Sequence, residues 1–435
     1  MDIADRSHRD APYDRLETRD PAEREATLMQ ALAAQVAHAQ RTTAAYAELL
    51  REVDASAVVS RAALARLPLT RKADLMERQR QQQQREHDVF GGHSAIGWRR
   101  RQGAGGAVKV YQSPGPLYEP EGPGPDYWRM ARALWAAGVR AGDLVHNSFS
   151  YHLTPAGAMM DSGARALGCT VFPGGVGNTE LQLQAMHDLH PDAYAGTPGF
   201  LKIVLDKAAE QQQTLPASLC KALVSGEACP PSLRQAFAES GIEAYQCYAT
   251  AELGLIAYET AARAGLVVDE QVIVEIVRPG TGEPVPEGDV GEVVVTTLNP
   301  DHPLIRFATG DLSALLPGRC PSGRTNIRLR GWLGRADQST KVRGMFVTPT
   351  QVADIVRRHP EVRRARLVVS GSPAQDQLSL RVELTPDAGA APAGLAERLT
   401  ESLRDLTKLR GEVELLAPGT LPNDGKVIED LRRQD

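Results

Sequence analysis

The sequence predicts an α/β protein: a large amino-terminal domain of α/β subdomains plus a β-rich subdomain, followed by a small α+β carboxyl-terminal lid domain. Three observations predict it. Between about residues 126 and 225, helical periods alternate with short apolar strands, the mark of a parallel sheet with crossover helices. After residue 265 the chain turns β-rich, with Pro/Gly turns between strands. From about 338 onward, helices and strands alternate again in a stretch sized for one compact module. At 435 residues the chain exceeds one ordinary core. The expected division is 1–95 (helical annex of the large domain), 96–336 (core, α/β and then β-rich) and 337–435 (mobile lid).

Residues 21–50 are alanine-rich with apolar residues at helical spacing, which makes the amino end helical. Leu67-Pro-Leu-Thr70 before Lys72-Ala-Asp-Leu75 reads as a capped helix start, and the Gln81–Gln84 tract as helix surface or a connector. Helices are then expected over Tyr127–Ala137, Ala156–Leu167, Glu180–Leu189 and Phe200–Ala209. Strands are expected at Leu144-Val-His146, Thr170-Val-Phe172, Ala193-Tyr-Ala195 and Ala222-Leu-Val224. Later come strands Val272–Val277 and Gly291–Thr296, helix Thr350–Arg358, strands Ala365–Val369 and Leu378–Leu384, a helix over 393–407 and strand Val413–Leu416.

Composition narrows the function. A formal charge of −5 with pI near 6.1 leaves no electrostatic footprint for nucleic acid, so none is expected as partner. The start, Met-Asp-Ile-Ala-Asp-Arg, has no apolar signal core, and no window reaches the roughly 18 apolar residues of a membrane span. A cytoplasmic protein without a membrane partner is the expectation, with oligomeric state open between monomer and homodimer. Cys169, Cys220, Cys229, Cys247 and Cys320 are scattered without a C-x₂₋₄-C pair and read as reduced thiols.

In a doubly wound sheet, ligands bind beyond the carboxyl ends of the strands. There the chain carries Asn147-Ser-Phe-Ser-Tyr151, Pro173-Gly-Gly175, Gly196-Thr-Pro198 and Ser225-Gly-Glu227. Phe149, Tyr151 and Tyr194 hint at an aromatic or flat pocket. Four further segments carry chemistry. Glu252, after Tyr248-Ala-Thr-Ala, can hold Mg²⁺ bridging phosphates, with Tyr248 flanking a nucleotide. Asp311 ends Arg306-Phe-Ala-Thr-Gly-Asp, where Gly310 permits a tight turn and the carboxylate can accept both ribose hydroxyls. Arg335 can reach phosphate, and Asp337 can absorb a hinge rotation. Lys426, in Pro422-Asn-Asp-Gly-Lys, can aim a compact positive charge at a carboxylate and an α-phosphate. Each alone is as readily a surface turn; their order and spacing tell more.

Taken with Leu67–Leu75, Gly142–Tyr151, Ala195–Pro198 and Ser225–Ala228, these segments resemble the phenylacetate-CoA ligase branch of the acyl-adenylate-forming superfamily, from about residue 60 to the end. The resemblance implies ATP-dependent activation of an aryl or acyl carboxylic acid to an acyl-adenylate, with Mg²⁺, followed by transfer to coenzyme A. It implies that Gly226 and Glu227 border the adenine, that Tyr248, Ala249 and Thr250 line the nucleotide, and that Glu252 holds magnesium. It makes Asp311 the ribose acid, Arg335 a ribose or phosphate contact, Asp337 the hinge and Lys426 the adenylation lysine. Phe149, Tyr151, His152, Gly174 and Gly175 correspond to the acyl pocket wall.

The chain departs from that pattern at the phosphate loop. Arg101-Gln-Gly-Ala-Gly-Gly-Ala-Val-Lys109 has no hydroxyl, and Ala107 stands where the family has lysine; Gly103 and Gly106 can still offer backbone N–H groups, and Arg100, Arg101 or Lys109 can add charge. The residue before Glu252 is Ala251 rather than a hydroxyl residue, with Thr250 beside it. Two alternatives follow from the altered loop: a protein that binds a nucleotide or acyl-adenylate with weakened catalysis, or an amide-forming or carrier-loading relative.

Overall fold

The computed structural model describes residues 11–86, 88–99, 105–113, 116–336, 338, 340–342, 345–372, 375–386 and 392–432. They form two compact units. The first comprises residues up to Val274 with Val295–Phe307 and Leu316–Gly331; the second comprises Glu275–Val294, Ala308–Leu315 and Trp332 onward. The chain passes between them inside the strands Val272–Val277, Gly291–Thr297 and Phe307–Ser313 rather than at one linker.

In the first unit, Asp20 accepts from the amides of Ala22 and Glu23 and starts the helix Pro21–Thr42, whose Leu28, Leu32, Val36 and Ala39 are buried on one face. Upstream, the fully buried Glu17 carboxylate accepts from Arg324 Nε at 2.7 Å, Tyr258 Oη at 2.8 Å and Arg132 Nη1 at 2.9 Å. This paired charge ties the amino end to the core.

The central sheet has five parallel strands: β1 (Leu144–Asn147), β2 (Thr170–Pro173), β3 (Ala193–Gly196), β4 (Lys221–Val224) and β5 (Glu243–Thr250). Their order is β2-β1-β3-β4-β5. The helices Ala156–Ala166, Thr179–Leu189, Pro198–Glu210 and Pro231–Glu239 intervene along the chain. Past β5 the sheet continues antiparallel through Gly254–Glu259, Leu266–Val268 and Arg328–Leu329. Ala193–Gly196, Gly254–Glu259 and Leu266–Val268 are buried throughout without alternation, as a sheet covered on both faces requires, whereas the edge strand β2 is part-exposed.

Three expectations need correction. The helix expected over Tyr127–Ala137 runs only from Met130 to Ala136, because Arg129 sits at φ +64° and Asp126 takes the amides of Met130 and Ala131. Thr70 does not cap a helix: it lies in the short strand Thr70–Arg71, and its hydroxyl donates to the Ile305 carbonyl at 2.9 Å. Tyr194 lines no pocket; it is fully buried in the core with its hydroxyl on the Thr197 carbonyl. The glutamine tract does lie on a helix, Lys72–Glu86.

The second unit is built on a hairpin of Val362–Ser372 with Gln375–Leu384, flanked by the parallel strands Glu412–Leu416 and Ile428–Asp430. Helices Pro349–Arg358 and Leu395–Thr407 place Val352, Ile355, Leu399 and Leu403 in one core with Leu367, Val369, Leu380 and Val382. All five cysteines are free, four of them buried, and no described helix is long and apolar enough to cross a membrane.

Candidate active site

The order β2-β1-β3-β4-β5 reverses direction between β1 and β3, and it is beyond the carboxyl ends of these strands that such sheets bind ligands. Four loops converge there. The Ser148 amide donates to the Ala195 carbonyl at 2.7 Å and that of Gly175 to the Asn147 carbonyl at 3.0 Å, which ties the ends of β1, β2 and β3 together. Ser225 Oγ donates to the Cys247 carbonyl, joining the ends of β4 and β5. The Glu227 carboxylate accepts from the Gly199 amide at 3.1 Å, next to the Thr197 cap of the helix Pro198–Glu210. Gly226, at φ +82°, brings its backbone close to Thr197 and Phe149: a Cβ there would lie 3.9 Å from the Phe149 ring.

The residues expected at the pocket wall divide. Phe149 is buried in the core below the loops, and Tyr151 is half-buried with its hydroxyl accepting from Asn147 Nδ2 at 2.8 Å. His152 is exposed. Gly174 is closely packed, because a Cβ would meet Gln182 Oε1 at 2.8 Å and His146 Nε2 at 2.9 Å, whereas Gly175 borders open space. Gln182 is a hub that the sequence reading did not single out. Its carbonyl oxygen accepts from Ser148 Oγ at 2.7 Å, and its amide nitrogen donates to the Gly175 and Gly177 carbonyls. A lone glutamine on an amphipathic helix carries no sequence signal of that role.

Tyr248, Ala249 and Thr250 end β5, half-buried, where the pairing with Gly254–Glu259 slips between Tyr248 and Ala249. Thr250 Oγ1 accepts from the Leu253 amide at 3.2 Å, so the hydroxyl beside Ala251 serves the turn. Glu252 is buried and ion-paired to Lys72 Nζ at 2.7 Å. Nearby is a second acid, Glu119, on the hairpin of Lys109–Ser113 with Leu117–Glu121. Ser113 Oγ donates to its Oε1 at 2.6 Å. Burial and then the Glu252 charge push this carboxyl up to about 8, against the Ser113 hydrogen bond and the Lys72 charge. The residues present fit a divalent cation: an ammonium already balances Glu252 at contact distance, and an oxygen-only donor set suits magnesium. Lys109, a candidate for phosphate charge, lies 3.5 Å from Glu121 instead. Gly106 is described and bridges Gly97; Arg100, Arg101 and Gly103 lie outside the described residues.

In the second unit, Asp311 and Arg335 form an isolated bridge, with Arg335 Nη1 donating to Asp311 Oδ1 at 2.8 Å and to the Thr309 carbonyl at 3.1 Å. Trp332 Nε1 donates to the same Asp311 oxygen at 3.1 Å. Arg306, from the same segment, lies in the first unit: it is buried and donates to the Ala65 and Leu67 carbonyls. Lys426 is half-exposed, 3.6 Å from Glu429, on a turn gripped from below. The buried Arg366 pairs with Asp424 and Glu429 and donates to the Lys426 and Pro422 carbonyls. Gln338 donates to the Gly425 carbonyl and accepts from the amides of Val427 and Ile428. Both residues escaped the sequence reading, because Arg366 lies on the strand face opposite Ala365, Leu367 and Val369 and so does not disturb the apolar alternation. The hinge candidate Asp337 lies outside the described residues.

The AMP-binding enzyme family matches residues 150–299, and the AMP-binding enzyme C-terminal domain matches residues 344–431. The phenylacetate-coenzyme A ligase of Thermus thermophilus is 32% identical over 334 residues, covering 70% of this chain and 75% of that protein. The Aromatoleum evansii protein of the same name is 33% identical over 311 residues, covering 67% and 69%. Among solved structures, a 2-hydroxyisobutyryl-CoA ligase in an open conformation, in complex with 2-HIB-AMP and CoA, superposes with a TM-score of 0.69 at 25% identity, covering 95% of this chain and 93% of that one. The chain therefore belongs to the phenylacetate-CoA ligase-like branch of the AMP-binding, acyl-adenylate-forming enzymes.

Proposed function

We propose that this chain joins a carboxylic acid to coenzyme A at the expense of ATP. A carboxylate oxygen attacks the α-phosphorus of ATP, the α–β bridging P–O bond breaks, and pyrophosphate leaves. The thiol sulfur of coenzyme A then attacks the acyl carbon, the acyl–O bond to AMP breaks, and the thiol proton passes to solvent. The observation that carries this reading is the Gly310-Asp311/Arg335 bridge together with the Lys426 turn, both preformed within one unit. Asp311 offers acceptors for the ribose hydroxyls, Arg335 a planar donor for ribose or phosphate oxygens, and Lys426 a point charge for the negative charge that develops at the α-phosphate. In the first unit, the Gly226-Glu227 and Tyr248–Thr250 backbones provide edges for the adenine, and the loops around Phe149, Tyr151 and Gly175 line the acid. Magnesium, when bound, neutralises phosphate charge, and Glu252 is the residue to hold it.

The acid is proposed as a small aromatic or aliphatic one. The relatives support this, being named for phenylacetate and 2-hydroxyisobutyrate, and Phe149 adds an aromatic edge behind Gly226. Asp337 remains the proposed hinge between the half-reactions. Pyrophosphate exchange over a panel of aryl and short aliphatic acids tests the activity, and exchange with none of them would overturn it. Lys426→Ala should lower acid-dependent exchange by two orders of magnitude or more while leaving thioester formation from a supplied acyl-adenylate within a few-fold of the parent; unchanged exchange would remove Lys426 from adenylation.

A further inference from the structure

We propose that Glu119 and Glu252 together form a divalent-cation site, with the Lys72 ammonium standing in for the cation in the cation-free protein. The inference rests on the reading of Glu252 as the cation-holding carboxylate and adds a second ligand from a different element. Three observations carry it. First, Glu119 is 1% exposed, and its Oε2 has no hydrogen-bond partner among the described residues, while its other oxygen is fixed by Ser113. A buried carboxylate oxygen left unsatisfied costs stability unless something fills the role of a partner. Second, the helix that begins at Lys72 is docked onto the Glu119 strand: Gln79 Nε2 donates to the Tyr118 carbonyl and the Tyr118 amide donates to Gln79 Oε1, both at 2.8 Å. That docking holds the helix against the Glu119 strand, Lys72 at its start pairs with Glu252, and the charges of both Glu252 and Lys72 act on the Glu119 carboxyl. Third, Lys72 Nζ lies 2.7 Å from Glu252 Oε1 although 40% of its side chain is exposed, so it can swing away without unfolding anything.

The neighbouring acid on the hairpin is already committed. Glu121 accepts from Tyr111 Oη at 2.5 Å and faces Lys109, which leaves Glu119 as the hairpin's open donor. Two carboxylates, with the remaining positions left to water and substrate phosphate, are the donor set that magnesium ordinarily takes from a protein. A second protein carboxylate also answers the altered phosphate loop: where hydroxyls no longer help to hold the cation, the hairpin supplies a ligand.

The test is Mn²⁺ titration of the full chain, alone and without nucleotide, following the free-ion electron paramagnetic resonance signal. Glu119→Gln should weaken Mn²⁺ binding tenfold or more without lowering the melting temperature, because the amide is isosteric with the carboxyl, still accepts from Ser113 and cannot ionise to bind a cation. Lys72→Met, at a part-exposed position, should tighten binding several-fold by removing the competing ammonium. Binding by Glu119→Gln within twofold of the parent, or no binding by the parent at millimolar Mn²⁺, overturns the two-carboxylate site. Lys72→Met binding no more tightly than the parent overturns the stand-in. If Glu252→Gln loses binding while Glu119→Gln keeps it, the second ligand is wrong and the reading of Glu252 stands; if both keep it, that reading falls as well.

Discussion

Gly310 shows how a single residue can set a local geometry. Its φ is +73°, and a Cβ there would meet Arg335 Nη2 at 2.5 Å, so alanine is penalised by its backbone and must also push the guanidinium away from Asp311. Gly310→Ala should cost about 1–2 kcal/mol locally and raise the KM for ATP roughly tenfold, with a smaller change in the KM for the acid; equal changes in both would argue against a nucleotide-side role. At this scale the sequence told much. The need for glycine before Asp311, and the residue types of Glu252, Arg335 and Lys426, are legible because each chemistry admits few side chains. What it did not tell was partnership. Lys72 and Glu252 lie far apart along the chain, and nothing in either segment announces the other. Likewise Glu119 reads as one acid in a Pro/Gly-rich stretch until the hairpin register places Ser113 within 2.6 Å of it.

At the scale of elements, the carboxyl-terminal turn is held by a strand that does no chemistry. Arg366, buried on Val362–Ser372, ties Pro422, Asp424, Lys426 and Glu429 together through one guanidinium. Arg366→Leu removes four partners, leaves Asp424 without its Arg366 counter-charge and leaves Glu429 only the more distant Lys426. Because Asp424 and Glu429 are part-exposed, it should cost about 1.5–3 kcal/mol, the scale of lost hydrogen bonds to a charged group. Where the unit stays folded, it should slow pyrophosphate exchange at least tenfold and leave transfer from a supplied adenylate nearly unchanged. Loss of both half-reactions in a folded variant would contradict this positioning role. The elements themselves were legible because their periods are long and clean; the misread helix start at Tyr127 came from a local competition, in which Asp126 takes two amides and Arg129 adopts a left-handed conformation.

For the molecule as a whole, acid sensitivity is built into the core of the first unit. His93 and His302 are buried, and burial lowers them to about 3 and about 4, the His302 charge adding to the effect on His93. Both are neutral when folded, whereas an unfolded histidine titrates near 6.5. The unfolded chain therefore binds more protons as the pH falls. The stability these groups confer is present above about 6.5 and is lost toward 4, at roughly 1.4 kcal/mol per pH unit for each histidine. Urea unfolding between pH 7 and 4.5 should show that slope, and His302→Phe should flatten it; a slope unchanged by the substitution would assign the acid loss elsewhere. By itself the sequence determined the fold class, the family and the position of the strand-end loops, because periodicity, turn residues and motif order are local properties that survive without coordinates. Only the tertiary structure decided which charges face one another: Lys72 with Glu252 beside Glu119, Arg335 with Asp311, and Arg366 with the lysine turn. Such pairs form across long stretches of chain, and the cost of burying a charge, which selects its partner, exists only once the fold has excluded water from around it.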